Sequence, residues 1–257
     1  MKKIVICADD FGYSKEINDA IIKLGKNSKI TAISCLTNTE LWPIASHEIK
    51  TFYPNIQIGI HLCLTELNSL SETSSISKNK KLPSFGKIFI KSILGQINKE
   101  EIKIEFKEQI LRFYSEMGFW PQFIDSHQHI HQIPQLSWVL KGLLAEIPEL
   151  KNSPIRNSSQ GKIFALGMMT SIKRLILHLM GIHFKMKCLK WGIKTNNNLC
   201  GIYSYRERII DSKTIKKMMD EANDNDIFIH HPSLKKTIKK KNYFQMNQEI
   251  EYLLLSE

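Results

Sequence analysis

Short apolar runs alternate along the chain with stretches whose apolar residues recur at helical spacing. The runs KKIVICA (residues 2–8) and ITAISCL (residues 30–36) are rich in β-branched residues and predict two strands. Between them, Ile17, Ile21 and Leu24 fall on one face of a predicted helix. Strand, helix and strand in this order are typical of a βαβ unit, in which the two strands are parallel.

The same alternation continues to about residue 231. Further strands are predicted at residues 56–62, 121–127, 153–157 and 225–231, and further helices at residues 100–117, 134–147, 166–180 and 212–223. Repeated β-then-α order predicts an α/β fold with a mostly parallel sheet or barrel. Residues 65–98 interrupt this order and are interpreted as a long insertion beside the functional site. Because no repeat or linker divides them, the 257 residues are predicted to form one domain.

The composition indicates a globular protein without a transmembrane segment. No apolar run reaches the roughly 18 residues that a membrane span requires. Two acids follow MKKIVICA at the start, where a signal peptide would remain apolar, so we expect a cytoplasmic protein. The five cysteines are scattered and include no C-x-x-C pair, which argues against a disulfide scaffold and a zinc knuckle.

The chain is basic, with 36 Lys and Arg residues against 25 Asp and Glu residues and a net charge of +11. Lysines cluster at residues 77–81 and 235–241. Such runs are most often solvated loops, and the alternative is a surface that attracts an anionic polymer or membrane. No nucleic-acid-binding motif accompanies them, so no nucleic-acid partner is expected, while a homo-oligomer stays open.

Acidic residues and histidines follow several of the predicted strands. They are Asp9 and Asp10 after the first strand, His61 after the third, Asp125 and His127 after the next, and His230 and His231 after the last. Carboxyl ends of parallel strands meet at one face of a barrel, so we expect these side chains to converge. Two adjacent carboxylates either face water or hold a cation, although a plain strand end with a helix cap is an alternative for Asp9 and Asp10.

The segment DSHQHIHQIP (residues 125–134) places Asp125, His127, His129 and His131 at every second position. In an extended segment these side chains share one face, which predicts a site for a divalent metal ion. We expect one of the three histidines to bind the ion and the others to orient ligands or contact substrate. The alternative interpretation is a histidine-rich loop without a metal.

Five segments, in order along the chain, resemble the YdjC-like carbohydrate deacetylases. They are ADDFGYS near the start, TN (37–38), GIHLCLT (59–65), FIDSHQHIHQIP (123–134) and HHPS (230–233). The resemblance implies a distorted TIM-like (β/α) barrel and a single catalytic domain over residues 1–257. It also implies a hydrolase that removes the acetyl group from an N-acetylated sugar or oligosaccharide.

Carried over by position, the resemblance implies that Asp10, His61 and His127 bind Mg²⁺ or Zn²⁺ and that Asp9 is the catalytic base. His231 is the closer match to the family's His-Pro and is the expected acid. Its neighbour, His230, stands where relatives often carry a small residue. The chain stops at Glu257, where relatives commonly continue, so a final strand is expected to be missing or displaced.

The remaining candidates are expected to bind substrate or to support the metal ligands. They are Asp125, His129, His131, Arg156 and His230. For Arg156, pairing with Asp9 and a role as an ordinary surface cation both stay open.

The chemistry of amide hydrolysis explains why these residue types occur together. A nucleophilic water must lose a proton to a base such as Asp9, and the leaving amine must gain one from an acid such as His231. Two alternatives stay open. One is a related metal-dependent hydrolase of another amide or a phosphate, and the other is a non-catalytic binder whose basic face engages nucleic acid or an anionic glycan.

Overall fold

The computed structural model describes residues 3–160, 168–203, 209–234 and 242–257, with the side chains at 168–170 excepted. The strands are β1 (Val5–Phe11), β2 (Ala32–Cys35), β3 (Gln57–Leu62), β4 (Ile124–Ser126), β5 (Leu199–Cys200) and β6 (Ile227–His230). The helices are α1 (Lys15–Lys26), α2 (Trp42–Lys50), α3 (Phe85–Ile93), α4 (Lys99–Met117), α5 (Pro134–Glu146), α6 (Met168–Trp191), α7 (Ser212–Asp220) and α8 (Tyr243–Ser256). Short 3₁₀ segments occupy His127–Gln132 and Pro148–Asn152.

The six strands of the described residues form one sheet in the order β4-β3-β2-β1-β6-β5, and every neighbouring pair is parallel. Parallel strands need a crossover between them, and the helices supply these crossovers. On α1, the predicted apolar face of Ile17, Ile21 and Leu24 is buried against the core.

Hydrogen bonds connect the two edges of the sheet and curl it into a barrel. On the β4 side, the Ile124 N–H donates to the carbonyl of Pro154 at 3.0 Å, and the Ile155 N–H donates to the carbonyl of Lys194 at 2.9 Å. The segment after Lys194 continues into β5, which already pairs with β6. The predicted distorted (β/α) barrel is therefore confirmed.

Several element boundaries differ from the predictions for identifiable reasons. The predicted strand at 153–157 contributes only isolated bridges at Ile155, in part because Pro154 has no N–H to donate. Helix α6 extends to Trp191 rather than ending near residue 180. Gly181 lies inside this helix and not at its end. Its lack of a side chain allows close packing, since a Cβ there would lie 2.1 Å from the Ser159 backbone nitrogen.

The segment 65–98 contains helix α3, which the Pro- and Gly-containing sequence did not indicate. The lysine run at 235–241 and the first part of the predicted helix at 166–180 lie outside the described residues. Within the described ranges, no helix is both long enough and apolar enough to cross a membrane.

Candidate active site

Asp9 and Asp10 both face the interior because β1 is irregular at this point. In a regular strand, neighbouring side chains point to opposite faces of the sheet. Here the pairing of β1 with β2 shifts register between Ala8 and Phe11, and Asp10 has a left-handed backbone with φ 67°. Asp9 is 1% exposed and Asp10 is 4% exposed, so the local kink turns two successive carboxylates into one buried site.

Asp10 is the centre of a three-residue cluster at the carboxyl ends of the strands. Its Oδ1 lies 2.9 Å from His127 Nδ1 and 3.4 Å from His61 Nε2. One ligand atom from each residue lies within 4.8 Å of the other two, which is a geometry that can hold a metal ion. The structure therefore brings together the three residues that the sequence resemblance implied as ligands.

The orientation of His61 is fixed on the Nδ1 side of its ring, away from Asp10. Its Nδ1 lies 2.6 Å from Asp125 Oδ1, and the Ser34 hydroxyl donates to the same Asp125 oxygen at 2.5 Å. With the Nδ1 hydrogen directed to Asp125, Nε2 presents a lone pair toward the Asp10 carboxylate. Two facing acceptors are stabilised only by a proton or a cation between them.

The electrostatics of the cluster favour positive charge. Burial alone would lower the pKa of His61, but the nearby Asp125 and Asp10 outweigh burial and raise this pKa to about 9. For Asp10, burial would raise the pKa, and His127 and His61 outweigh it and lower the pKa well below its usual range. A divalent cation replaces the proton in such a site, so the residues present fit a metal ion.

Asp9, Asp125 and His61 form a second cluster whose ligand atoms lie close enough together to hold a metal ion. Arg156 already pairs with both acids: its two terminal nitrogens lie 2.6 and 3.0 Å from the Asp9 oxygens, and one of them lies 2.6 Å from Asp125 Oδ2. Arg156 is 2% exposed, so it pairs with Asp9 and is not a surface cation. The guanidinium of Arg156 offsets the negative charge of Asp9 and Asp125, so the Asp10 cluster is the better site for a cation.

Arg156 also keeps Asp9 ionised. Burial would raise the pKa of Asp9, but Arg156 and His61 outweigh burial and lower the pKa to about 2. The fork of the guanidinium holds both carboxylate oxygens and restricts their orientation. Asp9 is therefore ionised throughout the neutral pH range, and its carboxylate is held in one position.

The expectation that Asp125, His127, His129 and His131 share one face is wrong. Strand β4 ends at Ser126, and the following 3₁₀ segment is kinked, because Gln128 and His129 have left-handed backbones with φ 56° and 57°. The extended conformation on which the expectation depended is absent from residues 127–132. The kink directs His127 toward Asp10, whereas His129 and His131 do not join this cluster.

His131 supports the site from behind. Its Nε2–H donates to the carbonyl of Arg156 at 2.7 Å, and its Nδ1 lies 2.5 Å from the Ser126 hydroxyl. Burial lowers the pKa of His131 to about 4, so the ring is neutral. Burial and the nearby Arg156 likewise lower the pKa of His129 well below its usual value, and its Nδ1 has no hydrogen-bond partner in the described part of the chain.

His230 and His231, at the end of β6, have different surroundings. His230 is fully buried, stacks on Phe228 with ring centroids 4.7 Å apart, and directs Nδ1 toward Glu251 at 3.6 Å. His231 is partly exposed, and its charge is one of the smaller influences that lower the pKa values of Asp9 and Asp10. Of the two, His231 therefore lies on the side of the carboxylates.

Three functional neighbours were not identified from the sequence. Ser34 donates to Asp125, Glu66 Oε2 lies 3.7 Å from His127 Nε2, and Glu251 accepts the backbone N–H of His231. A polar residue inside the apolar run ITAISCL was a usable signal for Ser34. Glu66 lies in the irregular segment 65–98 and Glu251 lies on α8, so no local pattern connected either one to the site.

Part of the chain is similar in sequence to proteins named as deacetylases. A carbohydrate deacetylase of Geobacillus stearothermophilus is 32% identical over 157 residues, which are 60% of this chain and 60% of that protein. A chitooligosaccharide deacetylase of Escherichia fergusonii is 32% identical over 143 residues, which are 56% of each protein. The matches thus span less than two thirds of the length of either relative.

A solved structure shows the same fold along the whole chain. This structure is of an Enterococcus faecalis protein named for cellobiose-phosphate cleavage. It superposes with a TM-score of 0.70 at 22% identity and covers 100% of this chain and 91% of that one. The sequence profile of the YdjC-like protein family matches residues 3–257. Because that match covers nearly the whole sequence, the chain belongs to the YdjC-like family.

Proposed function

We propose that this chain is a metal-dependent hydrolase that removes the acetyl group from an N-acetylated sugar or oligosaccharide. The observation that carries the proposal is the position of the Arg156-bound Asp9 carboxylate beside the Asp10, His61 and His127 cluster. A fixed proton acceptor next to a cation site is an arrangement that can activate water for hydrolysis of an unactivated amide. The names of the two deacetylase relatives support the choice of an N-acetylated sugar.

Asp10, His61 and His127 would hold the ion, which we propose to be Mg²⁺ or Zn²⁺. Such an ion, when bound, lowers the pKa of a coordinated water and polarises a carbonyl oxygen. Asp125 and Ser34 orient His61 for this purpose through its Nδ1 side. His131 supports the same region by binding the backbone carbonyl of Arg156.

Asp9 and His231 divide the proton transfers between them. Asp9, kept ionised by Arg156, accepts the proton of the attacking water. His231 gives a proton to the amine nitrogen as the bond to the acetyl group breaks, which is the general-acid role that leaving-group departure needs. His230, packed on Phe228, holds the end of β6 in place, and His129, in the kinked segment after β4, would contact substrate or support the metal ligands.

The direct test is acetate release from N-acetylglucosamine oligomers by the full chain, before and after removal of metal with a chelator. We expect release that chelation abolishes and that Mg²⁺ or Zn²⁺ restores. A parallel panel of phosphate esters and other amides measures the alternative substrate classes. Metal-dependent turnover of only those compounds, or acetate release that a chelator leaves unchanged, would contradict the proposal.

A further inference from the structure

Helix α6 buries one face and exposes large apolar side chains on the other. The buried positions Leu177, Gly181, Phe184 and Cys188 follow the helical repeat and face the barrel. We define the outer stripe as the exposed apolar residues Ile172, Leu175, Ile176, Leu179, Ile182, Met186 and Leu189. At about 3.6 residues per turn, the stripe runs along the helix directly opposite the buried face.

The exposure of the outer stripe is too large to be incidental. Leu189 is 73% exposed, Leu179 is 58% exposed and Met186 is 56% exposed. Single exposed apolar residues are common on protein surfaces, but a continuous row of them along one helix marks an interaction surface. Within the described ranges the outer stripe is not needed to attach α6, because the opposite face of the helix makes the contacts with the barrel.

The charges of α6 are all of one sign. Residues 168–191 contain no Asp or Glu, and their basic residues are Lys173, Arg174, Lys185, Lys187 and Lys190. Lys185 and Lys187 lie on the two flanks of the outer stripe, and Lys190 lies at its end, by the same helical geometry. A helix with an apolar face bordered by lysines is typical of segments that lie on an anionic bilayer.

An aromatic pair lies beside the lysine flank of the helix. The rings of Trp138 on α5 and Trp191 at the end of α6 have centroids 4.9 Å apart, and Trp138 is half exposed. Lys141 Nζ lies 5.0 Å from the Trp138 ring centroid and 5.4 Å from that of Trp191, while Lys187 Nζ lies 5.8 Å from the former. Tryptophan next to lysine is the combination that the headgroup region of a membrane favours.

We propose that the outer stripe of α6 binds the surface of a bilayer that contains anionic lipid, with the helix parallel to the membrane plane. The apolar residues enter the boundary between headgroups and acyl chains, and the flanking lysines meet the anionic headgroups. A second copy of the chain is a poorer occupant of this surface. Two facing α6 helices would bring Lys185, Lys187 and Lys190 of one copy close to the same lysines of the other, and neither helix carries an acid to offset them.

The attachment of α6 to the barrel gives this surface a fixed relation to the candidate active site. The ring of Phe184 lies edge-on to His131, with centroids 5.2 Å apart, and the Ser158 hydroxyl donates to the carbonyl of Leu177 at 2.5 Å. His131 in turn binds the Arg156 carbonyl. Helix α6 alone would therefore separate a bilayer bound to the outer stripe from His131, which supports the site.

The test is sedimentation of the full chain with vesicles of phosphatidylcholine alone and of equimolar phosphatidylcholine and phosphatidylglycerol. We expect binding to the anionic vesicles that weakens with added salt, and much weaker binding to the neutral ones. The stripe variant Leu175→Ser, Leu179→Ser, Met186→Ser should bind anionic vesicles about tenfold or more weakly, because each change removes apolar surface from the bilayer. Unchanged binding by this variant, or no binding by the wild type, would overturn the proposal.

A matched control removes three exposed apolar residues from another helix: Ile90→Ser, Ile93→Ser, Leu94→Ser at α3. This variant should bind like the wild type. Replacing Lys187 and Lys190 with Gln should weaken binding to anionic vesicles, whereas replacing Lys23 and Lys26 of α1 with Gln should weaken it less. If the α3 variant loses as much vesicle binding as the stripe variant, and the α1 lysine variant as much as the α6 lysine variant, general hydrophobicity and charge attract the chain. That result would contradict a specific surface on α6.

Sedimentation velocity without lipid tests the competing occupant. We expect the wild type and the stripe variant to have the same oligomeric state. A wild-type dimer that the stripe variant converts to a monomer would show that a second copy covers the stripe and would overturn the bilayer assignment. Thermal unfolding of each variant checks that the substitutions leave the fold intact, which their exposed positions favour.

Discussion

The carboxylate of Glu251 accepts the backbone N–H of His231 at 2.6 Å, which fixes the turn after β6 to helix α8. The Tyr203 hydroxyl donates to the other oxygen of the same carboxylate at 2.5 Å. Glu251 is fully buried, and burial would raise its pKa, but the neighbouring His230 and the Tyr203 hydroxyl outweigh burial and lower this pKa. A single buried anion therefore organises the element that carries the proposed catalytic acid.

Glu251→Ala should lower the free energy of unfolding by about 2–4 kcal/mol, because it leaves a buried N–H and a buried hydroxyl without their acceptor. Tyr203→Phe removes only one donor and should cost about 1 kcal/mol. Denaturant titration measures both values. Equal stability of Glu251→Ala and the wild type would show that the carboxylate does not hold the turn.

Metal content should depend jointly on Asp10, His61 and His127. Replacement of any one with Ala should abolish stoichiometric metal binding and acetate release, because the remaining two donors hold a divalent ion weakly. Elemental analysis of the purified variants measures the metal. His47→Ala, an exposed histidine on α2, is the control and should keep both properties. Full metal occupancy in His61→Ala would refute the assignment.

Asp9→Asn should keep the metal and lose turnover by about a hundredfold or more, because the amide keeps the shape of the side chain and cannot accept the proton. Loss of the metal in this variant would instead mean that the roles of Asp9 and Asp10 are reversed. The variant also leaves Arg156 with Asp125 as its remaining carboxylate, so its folding must be checked by circular dichroism.

His231→Ala should retain metal and lower the rate of amide hydrolysis. An acetyl ester with an activated leaving group needs no proton on that group, so the variant should hydrolyse it nearly as well as the wild type does. The ratio of the two rates separates acid catalysis from general damage to the pocket. If the ester suffers as much as the amide, His231 has another role.

The stability of the protein should fall between about pH 4 and pH 2 in part because of Asp9. Its pKa is lowered from 3.8 to about 2 in the folded state, so its contribution is present above the unfolded pKa and is lost as pH falls through the folded one. The shift corresponds to about 2 kcal/mol. Unfolding free energies of Asp9→Asn measured across this range should therefore depend less on pH than those of the wild type.

The sequence predicted the convergence of the site because strand ends are local features of the pattern. Apolar runs located β1, β3, β4 and β6, and the polar residue after each run could be read directly. The topology of a parallel barrel then required these ends to meet. This reasoning needed no knowledge of side-chain conformation, which is why it held for Asp10, His61 and His127.

The parts that were missed depend on conformation or on distant partners. Periodicity could not reveal the left-handed backbone of Asp10 or the register shift of β1, which together let both adjacent carboxylates face inward. It also assigned an extended conformation to residues 127–131, where Gln128 and His129 are left-handed. The contact between Ser34 and Asp125 joins residues that are 91 positions apart, and no local pattern encodes it.

The sheet order also has a consequence for how the protein folds as it is made. Strand β1 lies between β2 and β6, and β6 begins only at Ile227. During synthesis, one hydrogen-bonding edge of β1 therefore stays open while the intervening chain emerges, which takes on the order of 10–40 s at typical translation rates. An open parallel edge rich in apolar residues is a template for pairing with other chains. Nascent chains should therefore bind chaperones until residue 227 has emerged. Chains truncated before residue 227 should aggregate when they are released without chaperones.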